Sequence, residues 1–337
     1  MKHLLPNVKK YYKTNLHAHS NISDGALDPQ EVKAEYKRRG YSILALTDHE
    51  ICFSHPELND EDFLTLTSYE LMTYDNNPRM TSKTYHLNII AKDPNNRWQF
   101  HHPGLRPYIA KVADQLIYDE PMVRTYSLDE INSIIAKANE KGFMVMYNHP
   151  VWSLQDARDY RELKGIWAAE IFNYGSYLSG YDEDMSQCYQ ELLKEGLHIF
   201  PVASDDSHRH DDIGGGWIMV GAKELEYGSV IEALEKGDFY ASTGPEIHSL
   251  TLDGTKLTVQ CSEAATVNLV THGRHAQRKF PEEGTTMTQA TFDLSSWKKQ
   301  ISEDWQDKAF FRICVTDACG KKAFSRAYWL KDVESEM

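Results

Sequence analysis

Nine imidazoles and carboxylates in this 337-residue chain stand beside short apolar runs. They are His17, His19 and Asp24 in NLHAHSNISDG, His49 after ILALTD, Glu70 after FLTLTSY, His86 ahead of LNII, His149 after FMVMYN, and Asp206 with His208 after IFPVAS. Side chains two apart on a strand share a face, so His17 and His19 are either a polar edge or a pair of ligands. The whole set decides between the two. Uncompensated, such a cluster is costly to desolvate, whereas divalent cations take these same ligand types. The chemistry that follows from two or more bound cations is hydrolysis by an activated water.

The elements that must carry these residues repeat one order. EVKAEYKRRGY (31–41) reads as a surface helix ending at Gly40, ahead of YSILALTDHE as a buried strand. SLDEINSIIAKANEKG (127–142) opens with Ser127 and Glu130 in capping-box spacing and closes at Gly142, ahead of FMVMYNHP. SQCYQELLKEG (186–196) again ends in glycine, before LHIFPVASDDSH. Helix, glycine, strand and then histidine implies parallel strands whose C-terminal ends share one face, where active sites of barrels form. After residue 245, alternating strands with DG and CGKK turns predict a small β-sandwich of immunoglobulin-like form. The expected units are therefore 1–245 and 246–337. Their different textures predict that deleting 247–337 leaves the metal site intact.

Fifty acidic against 36 basic residues, a net charge of −14, argue against a long nucleic acid as partner. Cations held in a His-rich pocket would reverse the local sign and admit a small anion. MKHLLPNVKKYYKTN has no apolar stretch of secretion-signal length, and no run of about 18 apolar residues occurs, so a cytoplasmic protein with no membrane partner is expected. Five scattered cysteines suit free thiols; Cys314 and Cys319 lack the second pair of a structural zinc site.

HAHSNISDG, LALTDHE, the isolated Glu70, YNHP and SDDSH, in this order, resemble the PHP (polymerase and histidinol phosphatase) family of metal-dependent phosphoesterases over about residues 10 to 245. The resemblance implies an α/β fold, a distorted (β/α)7 TIM-like barrel, followed here by the all-β unit. It also implies two to three divalent ions, zinc, manganese or iron. Carried over residue by residue, one ion would take His17, His19, Glu70 and Asp206. A second would share Glu70 and take His86 and His149, and a third would take Asp24, His49 and His208. The family spacing of aspartate, one residue, histidine selects Asp206 over Asp205, which is then expected to orient a ligand imidazole. A metal-bridging hydroxide would attack the phosphate ester, with Glu70, Asp206 and His208 as the catalytic set. Asp205, Asp48 or a neutral histidine would carry the leaving-group proton. The expected partner is a small phosphorylated metabolite, nucleotide or sugar phosphate favoured. Asp24 stands where many histidinol phosphatases carry histidine, which leans away from histidinol phosphate. The alternatives are that substrate, or a non-catalytic, metal-stabilised or regulatory barrel. The β-rich tail either buttresses the barrel or forms a homo-oligomer contact.

Weaker signals surround the set. Arg209 and His210 either reach a substrate phosphate or form outward ion pairs. EIFNYGSYLSGYDED (170–184) reads as a loop whose Phe172, Tyr174, Tyr177 and Tyr181 either wall the pocket or pack between helices. His101 and His102 fall in a Pro/Gly-rich loop, and His55, His198, His272 and His275 read as structural or solvent histidines. Ser242 and Thr243 either touch a ligand or form a turn with Gly244 and Pro245.

Overall fold

The protein is described from a computed structural model over residues 1–101, 107–118, 124–182 and 186–337; His102 lies outside the described residues. The helices form where the sequence supplies caps and an apolar stripe. Helix α1 (Pro29–Arg38) begins with Asp28 and Glu31 in a reciprocal capping box, with proline in its first turn, and buries Val32 and Tyr36. Helix α2 (Leu128–Glu140) is capped by Ser127 and buries Ile131, Ile134, Ile135 and Ala138, spaced three and four apart. Each such isoleucine contributes roughly 2 kcal/mol of burial. A short helix α3 (Tyr174–Leu178), α4 (Ser186–Lys194) and α5 (Tyr227–Lys236) follow, the last ended by Gly237 in the left-handed conformation.

The strands around the site divide between two sheets. In the first, β1 (Tyr12–Asn15), β2 (Ile43–Ala45) and β3 (Leu64–Leu66) run parallel. In the second, β4 (Ser68–Tyr74), β5 (Thr84–Ala91), β6 (Phe143–Tyr147), β7 (Ala168–Asn173) and β8 (Phe200–Ser204) lie side by side in that order. Strands β6, β7 and β8 are parallel, but β5 is antiparallel to both β4 and β6. The sheet is therefore mixed, where parallel strands throughout were expected. Only residues 75–83 separate β4 from β5, and a parallel crossover needs a dozen or more. A hairpin is what that length allows.

Strand β9 (Trp217–Val220) pairs antiparallel with β1 and with β10 (Phe239–Ser242). The first sheet continues from β10 into the C-terminal part of the chain. There β11 (Ile247–Asp253), β12 (Lys256–Ala264), β13 (Thr266–Thr271), β14 (Gln277–Lys279), β15 (Met287–Asp293), β16 (Phe310–Thr316) and β17 (Lys322–Ser325) follow. Strand β10 pairs with β17, so one ten-stranded sheet runs in the order β14-β13-β16-β17-β10-β9-β1-β2-β3, with Tyr328–Trp329 pairing off β16. Lys2–His3, β11, β12 and β15 form a separate four-stranded sheet. Leu250, Leu257, Val259 and Phe292 from it share a core with Leu269, Phe311 and Ile313 of the long sheet, giving two β layers.

Among the described residues no ladder joins the two site-bearing sheets; single bridges do, Ala18 with Ser207, His49 with Glu70 and Phe53 with Ser68. The strands thus meet at one end without closing into a continuous barrel. That end carries the histidines.

Candidate metal centre

Four overlapping groups of ligand atoms, each lying within 4.8 Å of one another, occur at the bridged end: His17, His19 and Asp206; His17, Glu70 and His149; His49, Glu70 and His86; and His19, Asp24, His49 and His208. Together they contain all nine residues expected from the sequence. His86 and His149, expected to share one ion, fall in different groups, each with Glu70.

Glu70 is central and fully buried. Its Oε1 lies 3.2 Å from His17 Nε2, 3.1 Å from His86 Nδ1 and 3.4 Å from His149 Nε2, and its Oε2 lies 3.0 Å from His49 Nδ1. Asp206 Oδ1 faces His17 Nε2 at 3.2 Å and His19 Nε2 at 3.1 Å. Asp24 reaches His49 and His208 at 3.5 Å each.

Whether these groups fit cations is tested by their unused atoms. His17 Nε2, both ring nitrogens of His19, His49 Nδ1, Glu70 Oε2, His86 Nε2 and Asp206 Oδ1 are buried without a hydrogen-bond partner. Native interiors leave few such atoms, and their convergence is the arrangement divalent cations require. The tautomers agree. The carboxylate of Glu170 accepts from His17 Nδ1 at 3.0 Å, and the Asp206 carbonyl accepts from His208 Nδ1 at 2.9 Å. Each ring then presents Nε2 as the lone pair.

Charge follows from the same neighbours. Burial disfavours a proton on His17, but the carboxylates of Asp206, Glu70 and Glu170 outweigh it and hold its pKa well above the ordinary imidazole value. Burial is outweighed also at His49, chiefly by Glu70, and at His149, whose hydrogen bond to Glu70 takes it to about 9. His19, where burial acts with the neighbouring His208 and His49, falls to about 3. Burial would raise Glu70 and Asp206, yet the surrounding imidazoles hold both well below the usual carboxylate range.

Backbone conformation is spent on this geometry. Asp206 (φ 52°) and His149 (φ 23°) are both left-handed, which costs of order 1–3 kcal/mol each in a non-glycine residue. The Asp206 N–H donates to His17 O and the His149 N–H to Glu170 Oε2, each at 2.9 Å, and these bonds hold the conformations.

Glu170 was not anticipated. Residues 168–173 are strand β7 rather than loop, which brings the Glu170 carboxylate to accept from His17, the His149 N–H, Asn173 Nδ2 and the Ser204 hydroxyl. A lone carboxylate inside the apolar run GIWAAEIF, the pattern also seen at Glu70, was the available signal. Asp205, expected to orient an imidazole, instead accepts from the N–H groups of Gly214, Gly215 and Gly216 at 2.8–2.9 Å and anchors that loop. Asp48 likewise holds Ser20 and Ser23 through both N–H groups and both hydroxyls. Neither carboxylate is free to carry a proton to a leaving group.

A cavity of about 500 Å³ opens over the cluster, lined by Asp24, Trp152, Ser176, Leu178, Asp206, His208 and Arg209 among others. Its volume is that of a small-molecule site. Arg209 stands at this mouth, whereas His210 turns away to Glu35 at 3.1 Å. The aromatic wall is Trp152, 39 % exposed and packed on His86 and His149 at 5.4 and 5.1 Å. Phe172, Tyr174 and Tyr177 contact one another instead, and Phe172 and Tyr177 line a different cavity; Tyr181 lines neither. His101 packs on Tyr118, His55 faces Glu57, His198 stacks on Trp329, His272 stacks on Trp305, and His275 contacts Gln277. The Ser242 hydroxyl bonds Pro245 O and the Gly244 N–H, and Thr243 pairs with Lys322, which makes this segment a turn.

The sequence matches no family model and no curated protein. Among solved structures, it is similar to a two-domain protein of Bacteroides vulgatus containing a predicted PHP-like metal-dependent phosphoesterase. The identity is 14 %, with 97 % of this chain and 98 % of that one covered and a TM-score of 0.44. A provisionally named metal-dependent phosphoesterase of Bifidobacterium adolescentis is 16 % identical over 60 % of this chain and 89 % of that one, TM-score 0.37. An amidohydrolase of Chromobacterium violaceum with bound sulfate and no metal is 17 % identical over 58 % and 87 %, TM-score 0.36. The reading of the site rests on its own donor set.

Proposed function

We propose that this chain is a PHP-type metal-dependent phosphoesterase that hydrolyses a phosphate ester of a small metabolite, a nucleotide or sugar phosphate being the favoured class. The observation that carries the reading is the convergence of nine imidazoles and carboxylates with seven buried ligand atoms lacking hydrogen bonds. On this reading His17, His19, Glu70 and Asp206 hold one divalent ion, Glu70, His86 and His149 a second, and Asp24, His49 and His208 a third. Zinc, manganese and iron suit this donor set. When bound, such cations supply Lewis acidity and an activated water for attack at phosphorus.

The chain's own residues do the rest. Glu70 turns one oxygen to His17, His86 and His149 and the other to His49, which suits a bridging role. Glu170 fixes the His17 ring, and the Arg209 guanidinium at the cavity mouth binds phosphoryl oxygens. Trp152 and Leu178 shield the cluster from bulk water. The metal-binding unit is residues 1–245, a distorted barrel bridged only at its site end, followed by an immunoglobulin-like sandwich over 246–337. All five cysteines are free, which supports a reducing, cytoplasmic setting. The −14 charge disfavours long nucleic acids, and no helix among the described residues is long and apolar enough to cross a membrane.

Elemental analysis of the purified chain, with phosphate release measured from nucleotides, sugar phosphates and histidinol phosphate, tests this function. Several transition-metal ions per chain and turnover of one compound class are expected. The Glu70→Gln variant is expected to lose turnover and to bind metal more weakly; full activity in that variant overturns the assignment.

A further inference from the structure

Glu50 and Arg124 form a buried ion pair beside the metal centre that belongs to none of the ligand groups. Glu50 follows His49, is fully buried and is left-handed at φ 61°. Its Oε1 accepts from Arg124 Nη1 at 2.6 Å and from the Met72 N–H at 2.8 Å. Its own N–H donates to Glu70 O at 2.9 Å, and its carbonyl accepts from Gln99 Nε2 at 2.7 Å. Arg124 comes from a distant segment. It also donates to Met72 O at 3.3 Å and to the carbonyls of Phe100 and His101 at 3.2 Å each. One guanidinium thus ties the segment after His49, the strand that carries Glu70, and the 100–101 segment.

The register it sets is that of His49 against Glu70. These two meet through a single backbone bridge beyond the end of the β2–β3 ladder, so strand pairing aligns the two backbones but does not by itself fix the 3.0 Å between His49 Nδ1 and Glu70 Oε2. A buried ion pair is a weak device for stability, because apolar residues of similar size often serve as well. The rigid guanidinium, with Nη1 on Glu50 and Met72 O and Nη2 on the carbonyls of Phe100 and His101, is a strong device for fixing position. We infer that Glu50 and Arg124 are positioning residues, which act through His49 and Glu70 to hold these two side chains at cation-binding separation. The inference rests on the metal-binding part of the proposed function and not on the hydrolysis.

Cobalt(II) titration of the full chain, followed by visible absorption and calorimetry, tests it. Arg124→Lys keeps the charge and loses the rigid guanidinium. The paired variant Glu50→Gln with Arg124→Met removes both charges, so that neither is left buried alone. Both are expected to melt near the parent's temperature while binding cobalt about ten- to a hundredfold more weakly, as when ligand-orienting residues are lost, with a shifted ligand-field spectrum. Parent affinity and spectrum in a folded paired variant overturn the inference. If the paired variant does not fold, parent affinity and spectrum in Arg124→Lys overturn it equally. A parent that takes up no cobalt overturns the metal reading and this inference with it. A parent that takes up cobalt but releases no phosphate overturns only the hydrolase.

Discussion

The Glu170 carboxylate sets one ring nitrogen of His17 as donor and leaves the other as lone pair. Glu170→Gln keeps the volume and loses that charge. It is expected to weaken metal binding about ten- to a hundredfold, measured by calorimetry, with little change in far-ultraviolet circular dichroism. Protonation gives a second expectation. His149, near 9, holds a proton at pH 7 until a cation displaces it, and the neighbouring carboxylates favour the protonated forms of His17 and His49 too, whereas His19, near 3, has none to give. Metal uptake at pH 7 should therefore release protons, and apparent affinity should climb as pH rises toward 9. Calorimetry in two buffers of different ionisation enthalpy reads this directly; identical apparent enthalpies would contradict it.

At the scale of elements, seven of the nine candidate ligands sit on short turns after strands, Glu70 and His86 lie within β4 and β5, and the turns are braced by side chains. The 20–25 turn shows why its glycine is needed. A Cβ on Gly25 would lie 2.6 Å from His19 O and 2.8 Å from His19 C. These are backbone atoms that cannot swing aside. Gly25→Ala is expected to cost about 1–3 kcal/mol in a denaturant melt and to lower occupancy at the ion proposed for Asp24, His49 and His208. The helix-glycine-strand order was legible because caps and apolar spacing are local. The antiparallel β4–β5 hairpin and strand β7 were not, since which strands pair depends on distant segments.

For the whole molecule, the long sheet crosses residue 245, and the apolar core of the site-bearing part includes Phe310, Phe324, Ala327 and Trp329 from the C-terminal part. Polar contacts cross as well, Arg312 Nε to Gln190 Oε1 at 2.9 Å and Gln190 Nε2 to Thr271 O at 3.0 Å. Deleting 247–337 would bare the β10 edge and take those three aromatic rings out of the core they fill, each worth roughly 2 kcal/mol. The shortened chain is expected to melt well below the parent or to aggregate, by thermal scan and size exclusion. A shortened chain with parent melting temperature and metal content would show that the two parts fold separately.

The sequence by itself determined the donor inventory, because residues able to bind cations are few in type and stood beside apolar runs where local pattern marks strand ends. For the same local reason it located helices α1, α2 and α4 to within a few residues, whereas α3 read as loop. Only the tertiary structure decided that Glu70 lies between His86, His149 and His49, that Glu170 and not Asp205 orients an imidazole, and that the site-bearing strands are bridged rather than laddered. Each of these depends on side chains that distant segments bring within about 3 Å, and spacing along the chain carries no measure of that distance.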